Sequence, residues 1–260
     1  MKETRRRVLL AGSSSLLASP AIAQGRQGQT QGGQTLLSEN NRGTSILVIG
    51  DSHSNGLAIG LTWVLAWGVN VDARGIVNTG LARADAQMSN FSNWFTRLEE
   101  LLRAASNRYA AAVISLGSVD NQRLTFADGR ESLAFGSQEY AEAYAERMAR
   151  LAGMLRAARI APVWVGLPSA GSPQIDQAYA WIDALQVQAT RRANIPYLHL
   201  RPLTLNNGRY DEKWFNGRSH PTSLRQPDAL HFTQNGYFRI AEVLVPRIEA
   251  QLGNRRLPRR

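Results

Sequence analysis

Ser52, Asp228 and His231 are residues whose types and order could do nucleophilic chemistry. A serine hydroxyl attacks carbon well only when a base takes its proton, and an imidazole is that base when a carboxylate holds it in the right tautomer. Ser52 follows the branched apolar run 46–49 and Gly50, and another apolar run begins at 57, so it sits at a strand-to-helix turn. Parallel sheets present their chemistry beyond such strand ends, where the next helix offers free N–H groups to negative charge. Asp228 and His231, three apart ahead of the last amphipathic segment, can hydrogen-bond to each other and leave one imidazole nitrogen for Ser52. Ser and Asp are also ordinary helix N-cap residues, so the turn alone has a purely structural reading. The distant pair Asp228 and His231 gives it a chemical one.

Asp51-Ser52-His53 also matches the Asp-x-His that opens the dimetal phosphoesterase signature. That chemistry needs further His, Asp and Asn ligands around two metals. Only His199, His220 and His231 remain, and neither Gly-Asn-His nor Gly-His-x-His occurs. Cysteine is absent, which removes a disulfide framework, a thiol nucleophile and a thiolate metal site. The sequence therefore calls for no metal and no cofactor.

Gly50-Asp51-Ser52, a later glycine, the segment 117–122 after an apolar strand, and Asp228-x-x-His231 together resemble the four blocks of the SGNH/GDSL hydrolases. Val163-Trp-Val-Gly-Leu-Pro168 and His231-Phe-Thr-Gln-Asn-Gly-Tyr237 resemble the bacterial periplasmic branch of that superfamily, long labelled a domain of unknown function. The likeness covers the chain from 45 to 250. It implies Ser52 as nucleophile, His231 as base and Asp228 as its orienter. It also implies an oxyanion hole made by the Ser52 N–H, the Gly80 N–H and an asparagine side chain; Gly75 lies in the same region as Gly80. The chain departs from the family at the third block. Where members read Gly-x-Asn-Asp, it reads Gly117-Ser118-Val119-Asp120-Asn121, so Val119 holds the asparagine position and Asn121 supplies the amide only if the loop shifts by two residues. His53 replaces the leucine of the GDSL name and either meets substrate or caps the turn.

The resemblance implies an esterase working through an acyl-serine, with a small-molecule or polysaccharide ester of the cell envelope as substrate. An O-acyltransferase on envelope polysaccharide is the alternative within the same chemistry. The rival from another class is a non-catalytic glycan-binding module, which Val119 favours and the retained Ser52, Asp228 and His231 oppose.

The elements that must position these residues alternate in type. Helical apolar spacing runs over 57–67, 91–105, 140–155, 175–192 and 237–252, and short strand-like runs occupy 46–50, 69–75, 111–116, 162–167 and 195–200. Strands separated by helices require crossovers and a parallel sheet, which predicts a three-layer α/β/α, flavodoxin-like domain over 44–253. The segment 201–226 is long for an irregular loop, and such loops usually serve function. It carries Trp214, Phe215 and His220 and is expected to be a substrate lid, with Trp214 stacking on a sugar or covering an acyl chain; a surface loop packing its aromatics onto the body is the bland reading.

The first residues read as an address. Arg5 to Arg7 precede a modest apolar run at 8–18, and Ala21 and Ala23 are the small residues a signal peptidase reads, so 1–23 is expected to be a twin-arginine-like export signal and the mature chain periplasmic or secreted. Residues 24–43, rich in Gly, Gln, Ser and Asn, are expected to be a flexible leader. The chain carries 30 Lys+Arg against 20 Asp+Glu. The excess is concentrated in the address, the leader and Arg255, Arg256, Arg259 and Arg260, which leaves the core close to balance and implies no nucleic-acid footprint. The tail 254–260 is expected to be a solvated end with at most weak contact to anionic envelope components. No run is long enough for a mature transmembrane helix.

Overall fold

The computed structural model describes residues 45–83, 93–105, 108–253 and 256–260; the expected signal and leader, and Phe91, lie outside them. Five parallel strands form the central sheet in the order β2-β1-β3-β4-β5, where β1 is Ser45–Gly50, β2 Val71–Ala73, β3 Tyr109–Ser115, β4 Ala161–Val165 and β5 Tyr197–Leu198. Side chains alternate faces along a strand, and both faces here are apolar. Ile46 and Val48 join Ala111 and Val113 in one core, under helices α1 (Ser52–Val64) and α5 (Gln234–Gln251). Leu47 and Ile49 join Ala112 and Ile114 in the other, under α2 (Trp94–Ala105), α3 (Gln138–Ala157) and α4 (Pro173–Arg192). The register Ile46↔Ala111, Val48↔Val113 and Ile49↔Ile114 keeps the two sets separate. This is the three-layer α/β/α arrangement.

The helix after β1 starts earlier than its apolar run. Asp51 is its N-cap, with the side chain accepting from the His53 N–H at 3.0 Å, so Ser52 is the first helical residue rather than part of a preceding turn. Gly56 and Gly60, which weaken a helix, are required by packing: a Cβ would stand 2.1 Å from the Tyr237 ring at Gly56 and 2.3 Å from the Tyr237 carbonyl at Gly60. The helix stops at Val64 instead of 67 because Leu65 turns extended and bridges to Arg259.

That bridge corrects the expectation of a solvated tail. Leu257 is buried, its N–H donates to the Glu249 carboxylate, and Arg256 and Arg259 pair with the same carboxylate at 3.0 and 2.9 Å. The Arg260 N–H donates to the Val64 carbonyl, and its guanidinium lies 4.2 Å over the Trp67 ring. A buried carboxylate such as Glu249 needs partners, and the described tail residues supply them.

The segment 201–226 is likewise built. A 3-10 turn (Arg201–Thr204) leads into hairpin β6–β7 (Leu205–Asn206, Arg209–Tyr210) and hairpin β8–β9 (Trp214–Phe215, Arg218–Ser219). Asn207 and Gly208 in the first turn, and Asn216 and Gly217 in the second, have positive φ, the pattern of tight two-residue hairpins. Phe215 anchors the segment in the core shared with α1 and α5.

Candidate active site

The strand ends bring distant residues to one edge. Gly50 closes β1 at φ 141°, where a Cβ would lie 1.8 Å from the Ser115 carbonyl of the neighbouring strand, so only glycine lets the chain turn there into Ser52. Ser52 Oγ lies 2.7 Å from His231 Nε2, across 179 residues of sequence. His231 Nδ1 lies 2.6 Å from Asp228 Oδ2. An ionised carboxylate only accepts, so Nδ1 carries the proton and Nε2 is left to accept from Ser52. Asp228 Oδ1 also receives the N–H groups of Leu230 and His231 at 2.9 and 3.0 Å, which fixes the turn. Partial burial pushes the Asp228 carboxyl up, but the hydrogen bonds from the His231 ring and from these N–H groups outweigh it and hold it below the usual carboxylate range.

Arg225, almost wholly buried, braces the same turn by donating to the Leu230 carbonyl at 2.8 Å and the Ser169 carbonyl at 2.7 Å, with its guanidinium 3.8 Å over the Phe232 ring. Burial lowers its pKa to about 10, which still leaves it charged. Nothing in the sequence around Arg225 distinguishes it from the neighbouring surface arginines.

His53 is buried, not displayed. Its ring lies 4.9 Å from that of His231 and its Nδ1 is 3.3 Å from the Tyr237 hydroxyl. Burial, followed by repulsion between a charged His53 and the His231 imidazolium and Arg225, lowers its pKa to about 3, so it stands as a neutral wall beside the base.

Asp51 and Asp120 are fully buried carboxylates that tie the surrounding loops together. Asp51 accepts from the Ser118 N–H at 3.0 Å and the Ser118 hydroxyl at 2.6 Å, joining the turn at Ser52 to the loop after β3. Burial pushes its pKa up to about 6 against those hydrogen bonds. Asp120 accepts from the N–H groups of Leu81 and Ala82 at 3.1 and 2.9 Å and from the Tyr144 hydroxyl at 2.8 Å. Arg147, mostly buried on α3, donates to the Leu81 carbonyl, so this loop is held from both sides. A charged residue on the apolar stripe of Tyr140, Tyr144, Met148 and Leu151 was the sequence signal for this clamp, and those tyrosines are polar partners as well as core.

The sequence-derived oxyanion candidates separate. Gly80 sits against Asp120, where a Cβ would come within 1.9 Å of the carboxylate, whereas a Cβ on Gly75 would meet Ser54 and Asn55 of α1. Among the described residues, neither the Ser52 nor the Gly80 N–H has a protein acceptor. Val119 is half-buried and its carbonyl accepts from Gln122; Asn121 is exposed and makes no hydrogen bond to Ser52 or His231 among the described residues. Trp214 is half-buried in its hairpin and takes no part in the ring cluster of His53, His231, Phe232 and Tyr237. Among the described residues no group of three or more acidic or histidine side chains gathers as a metal site, and no helix is long and apolar enough to cross a membrane.

A family model described as "Protein of unknown function (DUF459)" matches residues 45–247. Among solved structures, a carbohydrate acetylesterase family member from Sinorhizobium meliloti aligns with TM-score 0.54 at 14% identity, covering 81% of this chain and 99% of its own. A GDSL-like lipase from Bacteroides thetaiotaomicron aligns at 0.51 and 17%, covering 80% and 88%. An acetyl-xylooligosaccharide esterase from Geobacillus aligns at 0.51 and 12%, covering 80% and 95%. At these identities the likeness establishes a shared fold, that of the SGNH/GDSL proteins. Comparison with curated proteins finds no match.

Proposed function

We propose that this chain, which belongs to the DUF459 family, is an exported serine-dependent esterase acting on an ester of a cell-envelope carbohydrate. The observation that carries the reading is the unbroken relay from Ser52 Oγ through His231 to Asp228, at 2.7 and 2.6 Å. Ser52 attacks the acyl carbon while His231 Nε2 takes its proton, and Asp228 stabilises the imidazolium without itself being protonated. The negative charge that develops on the carbonyl oxygen is met by the Ser52 N–H at the positive end of α1 and by the Gly80 N–H. His231 returns the proton to the leaving alcohol. A water then gives its proton to His231 and attacks the acyl-Ser52, and as the acid leaves, His231 Nε2 returns that proton to Ser52 Oγ.

The neutral state of His53 serves this cycle, because a second cation beside His231 would oppose imidazolium formation. Arg5 to Arg7 and the small residues Ala21 and Ala23 support export, and the two acetylesterases with the same fold support the carbohydrate ester. Hydrolysis of p-nitrophenyl acetate tests the mechanism: Asp228→Asn, which leaves the shape but allows the wrong His231 tautomer, is expected to lower kcat by about 10³- to 10⁴-fold. Equal rates in the two proteins would remove Asp228 from the mechanism.

Val119 favours a second reading, a glycan-binding module that has lost an oxyanion donor. Release of acetate from acetylated oligosaccharides at a rate abolished by Ser52→Ala separates the two, and replacement of water by a sugar acceptor would identify an acyltransferase.

A further inference from the structure

The triad turn abuts an open cleft on the neighbouring hairpin. The cleft, about 710 Å³, is lined by Asn206, Asn207, Arg209, Tyr210, Asp211 and Glu212 around hairpin β6–β7. Tyr210 is the residue that joins it to the chemistry. Its ring stands beside Gly171, where a Cβ would lie 3.4 Å from the ring and 2.5 Å from the Ala229 Cβ, and Ala229 is within the turn that carries Asp228 and His231. The Gly171 N–H donates to the Ala229 carbonyl at 3.0 Å, fixing that contact, and the Arg225 guanidinium lies 5.4 Å from the Tyr210 ring centre. The hairpin is itself held in place: the Ser169 N–H and hydroxyl donate to the Thr204 hydroxyl and carbonyl, each at 2.9 Å, and Asn206 donates to Asp211 at 2.9 Å.

We infer that this cleft is the carbohydrate subsite of the enzyme, with Tyr210 as the platform for a neutral pyranose ring whose acyl group reaches Ser52. The inference rests on the esterase reading for the fate of the acyl group, but the cleft's ligand is argued from its own chemistry. A sugar presents apolar C–H faces and a rim of hydroxyls that both donate and accept. An aromatic ring with one polar end suits the faces. Two amides, a guanidinium and two carboxylates within one small cleft suit the rim, since they offer donors and acceptors side by side. The lining holds one arginine against two carboxylates, a balance that disfavours an anionic sugar. The sugar platform of the 201–226 segment is thus Tyr210, not the Trp214 expected from sequence.

Two assays separate this subsite from the catalytic reading. In the first, Ser52→Ala protein, which cannot turn over, is titrated calorimetrically with a panel of acetylated xylo-, manno- and gluco-oligosaccharides. Binding to at least one is expected, weakened at least tenfold by adding Tyr210→Ala and retained with Tyr210→Phe, which keeps the platform. In the second, Tyr210→Ala is compared with the parent on the bound oligosaccharide and on p-nitrophenyl acetate, and the ratio of the two kcat/KM values is expected to fall at least tenfold. No binding by any member of the panel, or an unchanged ratio, overturns the subsite even if p-nitrophenyl acetate is hydrolysed. Tyr210-dependent binding without any esterase activity leaves the subsite standing and removes the catalytic reading.

Discussion

At the scale of residues, two buried titratable groups flank Ser52 and pull stability in opposite directions with pH. Asp51 has a native pKa of about 6 against an ordinary 3.8, because burial disfavours its charge. The native state therefore binds its proton more tightly than the unfolded chain, and the associated stability, present in full below 3.8, is lost as pH rises through 6, by about 3 kcal/mol. His53 behaves in the reverse sense. Its native pKa of about 3 lies below 6.5, so its contribution is complete above 6.5 and is lost as pH falls towards 3, by about 5 kcal/mol. Thermal melts across pH 4 to 8 check both. Asp51→Asn is expected to gain on the parent as pH rises from 4 to 7, and His53→Gln as pH falls from 6.5 to 4; parallel curves would contradict the burial argument. Val119 gives a further prediction. Val119→Asn, which supplies the amide that the SGNH/GDSL resemblance implies, is expected to raise kcat on p-nitrophenyl acetate about tenfold or more, a fraction of what one oxyanion donor contributes. A variant no faster than the parent would mean that the loop after β3 does not face the oxyanion.

At the scale of elements, the site is held by loops pinned to helices. Asp120 gathers two loop N–H groups and the Tyr144 hydroxyl from α3, and replacing it leaves three buried donors without an acceptor. Asp120→Ala is expected to destabilise the fold by about 2–4 kcal/mol, read by urea denaturation, and to slow turnover through the Gly80 loop. The tail is a second such element. Ending the chain at Asn254 removes buried Leu257 and the arginine partners of buried Glu249, and is expected to cost about 2–4 kcal/mol. An unchanged melting temperature would restore the picture of a solvated end. The sequence concealed this because Arg-Arg-Leu-Pro-Arg-Arg reads as a solvated basic run, and a single leucine and a buried glutamate at the end of α5 decide otherwise. The start of α1 was similarly hidden: periodicity begins at Leu57, while the cap that starts the helix is the Asp51 carboxylate.

At the scale of the whole molecule, the alternation of strand and helix was legible because the central strands β1, β3 and β4 are apolar on both faces and the helices between them keep an apolar stripe. That is enough to dictate a parallel sheet, and the sheet dictates that Ser52 and the Asp228 turn meet at its carboxyl edge. Ser52, Asp228 and His231 could therefore be chosen from type and order alone. Arg225, Asp120 and Tyr210 could not, since their roles depend on partners 56, 38 and 39 residues away that no local spacing relates. The sheet supplies the edge, the buried carboxylates lock the loops on it, and the inserted hairpins add a wall to one side.

The central claim is that Ser52 is an activated nucleophile with His231 as its base. Covalent labelling by a fluorophosphonate probe tests it most directly, with the chain lacking residues 1–23 run beside Ser52→Ala and His231→Ala, all three checked for folding by circular dichroism. Only the parent is expected to be labelled. A folded parent that does not react, or a Ser52→Ala variant that still does, would contradict it.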